Sequence, residues 1–145
     1  MCHPKWILAA AVMAACLIGA PPGHAQAPSR TAPANPEAKL ALIQAIVCED
    51  VKDGIPNTAS LVFSIASGKV YCFTLFDNIA EDAVIYHHWI FRDRPSARIR
   101  LSLRAPRWAT YSSIQLREAD KGPWRVEIID PGGRVLKTLR FSVTD

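Results

Sequence analysis

Apolar and polar residues alternate along most of the chain after residue 60. In Arg98-Ile99-Arg100-Leu101-Ser102-Leu103-Arg104, three aliphatic residues share one face, and three arginines and a serine share the other. A period of two marks a half-buried strand. The pattern recurs where Trp124, Val126 and Ile128 alternate with Arg125 and Glu127, and where Leu139, Phe141 and Val143 alternate with Arg140 and Ser142. Ala83 to Arg92 (AVIYHHWIFR) is apolar enough for a central strand. Turn chemistry separates these runs: Asp130 to Arg134 (DPGGR), Arg92 to Ala97 (RDRPSA), and Ser67 to Lys69 (SGK) between Ser60–Ala66 and Val70–Phe76. Strands at roughly ten-residue spacing predict a sandwich or barrel. Pro36 to Val47 can be read as a helix capped by Asn35, but Leu42 to Asp50 reads equally well as a buried first strand, which an all-β plan requires. The expected fold is all-β, an immunoglobulin-like antiparallel β-sandwich of roughly seven or eight strands.

The first residues stand apart from this pattern. Lys5 precedes the uncharged apolar run Trp6 to Ala20, which is shorter than the roughly 20 residues that span a bilayer. Residues 1–25 are expected to be a secretory signal, with cleavage after Ala25 or, on a second site, after Ala27. A competing reading makes Cys16 the lipidated residue of a lipoprotein box, Met13-Ala14-Ala15-Cys16. Residues 26–40, rich in proline and alanine, read as a disordered leader, which leaves 41–145 as a single β-sandwich domain. The expected location is periplasmic or secreted, with no transmembrane span once the signal is removed. In that compartment Cys48 and Cys72 would form one disulfide, with two buried thiols as the alternative. The whole chain carries a net charge of +4. Its second half is the basic one, with twelve basic and six acidic residues from Arg92 to Asp145.

The adjacent histidines of Tyr86-His87-His88-Trp89 suggest a metal pair until the pleat is considered. Ile85, His87, Trp89 and Phe91 share one face of the strand, and Tyr86, His88 and Ile90 share the other. Two histidines pointing apart cannot ligate one ion, and zinc requires three or four converging ligands. No metal or other cofactor is expected. His87 is expected beside Trp89 in the core as a structural marker with Trp124, its ring nitrogens bonded, and His88 is expected to face solvent. No GxSxG elbow or glycine-rich phosphate loop is present. Ser112 or Ser113 could meet His87 or His88 in space, but their spacing selects none, so a hydrolase or metal-dependent enzyme using either histidine is kept as an alternative. Trp108 and Tyr111, on opposite faces, could offer an aromatic surface to a carbohydrate, a second alternative.

Arg98, Arg100 and Arg104 share one face, with Arg107 near its end. Guanidinium groups hold carboxylates and phosphates bidentately, so this strand is the expected contact surface for an anionic envelope polymer or an acidic protein surface. Nucleic acid is not expected in this compartment. The opposing explanation is that the charges protect an edge strand from pairing with another sheet.

Pro56, Val70-Tyr71-Cys72-Phe73-Thr74, His87-His88-Trp89, Trp108-Ala109-Thr110-Tyr111-Ser112, Gly122-Pro123-Trp124-Arg125-Val126 and Phe141-Ser142-Val143 follow, in order, a proline, VYxFT, HxW, WRTxS, GxWxV and FxV. In this order the chain resembles the bacterial domain-of-unknown-function family 2914 over Ala41 to Asp145, departing from it at Ala109, where the pattern has arginine. The resemblance implies a small extracytoplasmic β domain and brings no reaction, cofactor or catalytic residue. The expected function is a secreted, non-enzymatic binding or envelope-interaction module.

Overall fold

The computed structural model describes residues 40–145; the expected signal, leader and Cys16 lipidation site lie outside the described residues, apart from Leu40. Nine strands form two sheets: β1 (Ala41–Lys52), β2 (Ile55–Ala59), β3 (Val62–Ser64), β4 (Lys69–Asp77), β5 (Ala83–Phe91), β6 (Arg94–Leu103), β7 (Trp108–Gln115), β8 (Gly122–Ile129) and β9 (Val135–Thr144). One sheet has the order β2-β1-β4-β7 and the other β3-β9-β8-β5-β6. All neighbours are antiparallel except β3 and β9. The neighbours β1-β4-β7 and β5-β8-β9 reproduce the A-B-E and C-F-G arrangement of immunoglobulin sandwiches, so the fold class expected from alternation is the one found. Among the described residues no helix is long and apolar enough to cross a membrane.

The N-terminal segment is a strand, and a bulge explains its helical appearance. Leu42 pairs with Phe76 and Gln44 with Leu75, so Ile43 is extra and lies exposed. The bulge lets Leu42 and Ala45, three residues apart, both pack on the core, a spacing that imitates a helical face. Three other expectations need correction. Ser60–Ala66 is not one strand: β3 is short and runs into a 3-10 turn, Ile65–Ser67, capped by the Ser64 hydroxyl. β2 is an additional strand, folded back on β1 through Asp53-Gly54, both at positive φ. Asp-Gly is a strong hairpin signal, and Pro56 is tolerated because β2 lies at a sheet edge. The broad turn expected at Arg92–Ala97 is only two residues, Arg92-Asp93, after which β6 resumes and bulges at Ser96.

Side chains of both inner faces fill the space between the sheets. Phe63, Trp89 and Trp124 pack against Phe141, with Phe91 stacked on Trp124 at 4.7 Å. Trp89, fully buried on β5, occupies the strand that carries the core tryptophan of immunoglobulin domains.

The expected disulfide is not formed. Val47 pairs with Cys72, and Cys48 pairs with Tyr71, so the pleat turns Cys72 to the core and Cys48 to the opposite face of the same sheet. Both thiols are free and buried, and burial raises the pKa of each, which suppresses the reactive thiolate. A thiol-specific alkylating reagent should therefore label neither Cys48 nor Cys72 in the native protein and both after unfolding. Native labelling, or a residue pair still protected in denaturant and released only by reductant, would contradict this placement.

Candidate functional site

The only polar residues among the buried described ones are Thr74, His87 and Ser112, and they meet in the core. Thr74 on β4 and Ser112 on β7 project from one sheet, and His87 on β5 projects from the other. The Trp89 indole N–H donates to Ser112 Oγ at 3.0 Å. His87 Nδ1 lies 2.8 Å from Ser112 Oγ, and its Nε2 lies 3.3 Å from Thr74 Oγ1. The Thr74 hydroxyl donates to the Thr110 carbonyl at 3.3 Å.

One histidine tautomer satisfies all of these contacts together. A hydroxyl has one proton to donate. Thr74 spends its proton on Thr110, so it must accept from His87 Nε2–H. His87 Nδ1 is then unprotonated and accepts from the Ser112 hydroxyl, whose lone pair takes the Trp89 N–H. The result is one directional chain across the sandwich, Trp89 to Ser112 to His87 to Thr74 to Thr110. Every buried side-chain polar atom among the described residues has a partner, as a low-dielectric interior requires.

Ser112 and His87 have the hydrogen bond of a nucleophile and its base, a pairing that sequence spacing could not select. The site has no way in, however. His87 is fully buried, Ser112 is 5% exposed, and the hydroxyl is also tied to the indole. No carboxylate orients the ring; its other nitrogen meets a threonine. The geometry ties the two sheets together. His88 points to the opposite face, with its Nδ1 3.7 Å from Glu127, so the two histidines separate as the pleat requires. Among the described residues no group of three or more His, Cys, Asp or Glu side chains converges on a point.

The arginines do not act alike. Arg98 and Arg100 are exposed on the outer face of β6, an edge strand. Arg98 stacks over Tyr86 at 4.3 Å, and Arg104, just past the strand end, lies over Trp108 at 5.4 Å. Arg107 is occupied by Asp77 at 2.9 Å. Trp108 and Tyr111 do not form a shared platform: Tyr111 is exposed beside Tyr71 with ring centroids 6.0 Å apart, while Trp108 packs under Arg104 on the other side of β7. Trp124 is a core residue whose indole N–H donates to the Asp120 carbonyl at 2.8 Å.

Burial lowers the His87 pKa from 6.5 to about 4, because the charged ring would lose its hydration. The sign follows from proton binding. Above pH 6.5 neither state is protonated at His87 and its contribution to stability is complete. As pH falls from 6.5 towards 4, the unfolded chain takes up a proton that the folded chain refuses, and stability declines by a total of about 3 kcal/mol. Denaturant unfolding measured across this window should show that decline, and His87→Gln should flatten it. The same slope in both proteins would show that His87 does not cause it.

No curated protein matches the chain. Among solved structures, β-glucosidase from Listeria innocua in complex with glucose is similar at 12% identity with a TM-score of 0.43, over 74% of this chain and 16% of that one. A mutant of that β-glucosidase in complex with laminaribiose gives 11% and 0.42 over the same shares. This chain thus spans about a sixth of those enzymes' length. A family model matches residues 82–143, a stretch that holds HxW, the WRTxS-like segment, GxWxV and FxV, with Pro56 and Val70–Thr74 lying upstream. The family whose motifs this sequence resembles is thus also the one that residues 82–143 match, described as protein of unknown function (DUF2914).

Proposed function

We propose that this protein is a secreted, extracytoplasmic, non-enzymatic binding module that meets an anionic envelope polymer or acidic protein surface through the outer face of the β5–β6 hairpin. One observation carries this reading. Arg98, Arg100 and Arg104 have no carboxylate within ion-pair distance among the described residues, whereas Arg107, Arg125 and Arg134 are each paired. Exposed guanidinium groups on β6 and just past its end suit a ligand with repeated acidic groups, because each can donate a fork of two N–H bonds to a carboxylate or phosphate. Tyr86 and Trp108 support two of these side chains by cation–π contact, which lowers the entropy lost when a ligand binds. Export of the chain rests on the reading of residues 1–25 as a signal.

Edge protection is the competing use of the same charges, and one variant separates the two. With Arg98, Arg100 and Arg104 replaced by serine, three exposed ion pairs of about 0.5 kcal/mol each would be lost. Retention of the protein on acidic polysaccharide at low salt should then fall by roughly tenfold, with the variant still monomeric. Unchanged retention accompanied by self-association would instead assign these arginines to edge protection.

A further inference from the structure

A second feature on the outer face of the five-stranded sheet was not visible in the sequence. Where the β5–β6 turn meets the start of β8, a depression of about 110 Å³ is lined by Ile90, Pro123 and Trp124 together with Arg92, Asp93, Arg125 and Arg140. Arg125 and Arg140 are direct cross-strand partners on β8 and β9, and like charges so placed repel. The repulsion is only half relieved. Arg125 donates from Nε to Glu127 at 3.1 Å and pairs through Nη1 with Asp93, and the two carboxylates are thereby used. Arg140 has no carboxylate within ion-pair distance among the described residues, and neither has Arg92.

The third guanidinium is held in place. Arg92 and Asp93 form the two-residue turn with φ of 46° and 64°, a left-handed conformation that an arginine adopts only when its surroundings impose it. Here the Arg92 backbone N–H donates to the Pro123 carbonyl at 3.1 Å, and its Nη2 donates to the Lys121 carbonyl at 2.9 Å. Its guanidinium also lies where a side chain at residue 122 would begin: a Cβ on Gly122 would sit 3.1 Å from Arg92 Nε. Gly122, at φ 130°, therefore leaves room for this arginine as well as supplying backbone freedom.

Arg92, which also lies over the Phe91 ring at 5.0 Å, and Arg140 line this small concavity without a countercharge among the described residues, an arrangement that suits an anion. The volume decides its size. The depression is well below the roughly 300 Å³ at which small-molecule pockets begin, which suits one carboxylate or phosphate group better than a whole ligand. We propose that this depression is an oxyanion site in which Arg92 and Arg140 hold a single carboxylate or phosphate group of an acidic ligand, over the apolar surface of Ile90 and Pro123. The row containing Ile90, Arg125 and Arg140 neighbours the row containing Arg98, His88 and Glu127 on the same face, about 7 Å away at two residues along the strands. A ligand anchored in the depression would run on to Arg98; that extension rests on the function proposed above, and the oxyanion site itself does not.

The test is a titration of the folded protein with inorganic phosphate, and separately with acetate, at ionic strength held constant with chloride, followed through the arginine Nε–H signals in NMR spectra. Saturable shifts are expected at Arg92, Arg125 and Arg140. Arg140→Gln should weaken binding by about fivefold, while Arg98→Ser changes it by less than about twofold. Tighter binding of phosphate than acetate would point to a phosphate-bearing ligand, and the reverse to a carboxylate-bearing one. Shifts that stay linear, or that are equal at Arg98 and Arg100, would reveal ionic screening only and overturn the site, as would unchanged binding in Arg140→Gln. Saturable phosphate binding, with polysaccharide retention unaffected by the triple serine variant, would leave the depression standing and remove the extended arginine face.

Discussion

Apolar packing between two sheets tolerates small changes of partner, because hydrophobic burial has no direction, whereas buried hydrogen bonds do not. The buried hydrogen-bond chain from Trp89 through Ser112, His87 and Thr74 to the Thr110 carbonyl removes that freedom. Ser112 and Thr74 belong to one sheet, and His87 and Trp89 belong to the other. A shift of either sheet by a residue would leave a fully buried imidazole and an indole N–H unpaired, each at a cost of about 1–3 kcal/mol. The same register keeps Phe63, Trp89 and Trp124 packed against Phe141.

The chain also gives a physical meaning to the residues that carry the family resemblance. Thr74 ends VYxFT, His87 and Trp89 are the two ends of HxW, and Thr110 and Ser112 lie in the WRTxS-like segment. Segments 36 positions apart in sequence thus supply consecutive links in one network. Gly122, Trp124 and Val126, with Phe141 and Val143, complete the aromatic core and the approach of Arg92. Ala109, which departs from the pattern, sits on the exposed side of β7 opposite Leu75 and takes no part in the network, so its replacement leaves the lock intact.

Local chemistry in the sequence carries much of this structure. Alternation placed the strands of the second half and assigned His87 and His88 to opposite faces, because a pleat depends only on neighbouring residues. It failed where a bulge resets the period: Ile43 gives Leu42 and Ala45 a helical spacing, and Ser96 lets β6 begin earlier than a proline-containing turn suggests. The Asp53-Gly54 dipeptide is a hairpin signal that was passed over, and it marks a strand that alternation does not reveal. Partners across space were not legible. Nothing in the sequence joins Ser112 to His87, sets Arg125 against Arg140, or turns Cys48 away from Cys72, since each depends on register between strands distant in the chain.

A closed polar lock lies between the sheets, and exposed arginines line the outer face of one of them. The lock is the more basic claim, because its direction follows from counting protons. Nitrogen-detected NMR of the imidazole ring tests it most directly. The account predicts that His87 is a neutral Nε2–H tautomer, with an unprotonated, hydrogen-bonded Nδ1 that stays so as pH is lowered well below 6.5. A ring that carries its proton on Nδ1, or that titrates at the ordinary histidine value in the folded protein, would contradict it.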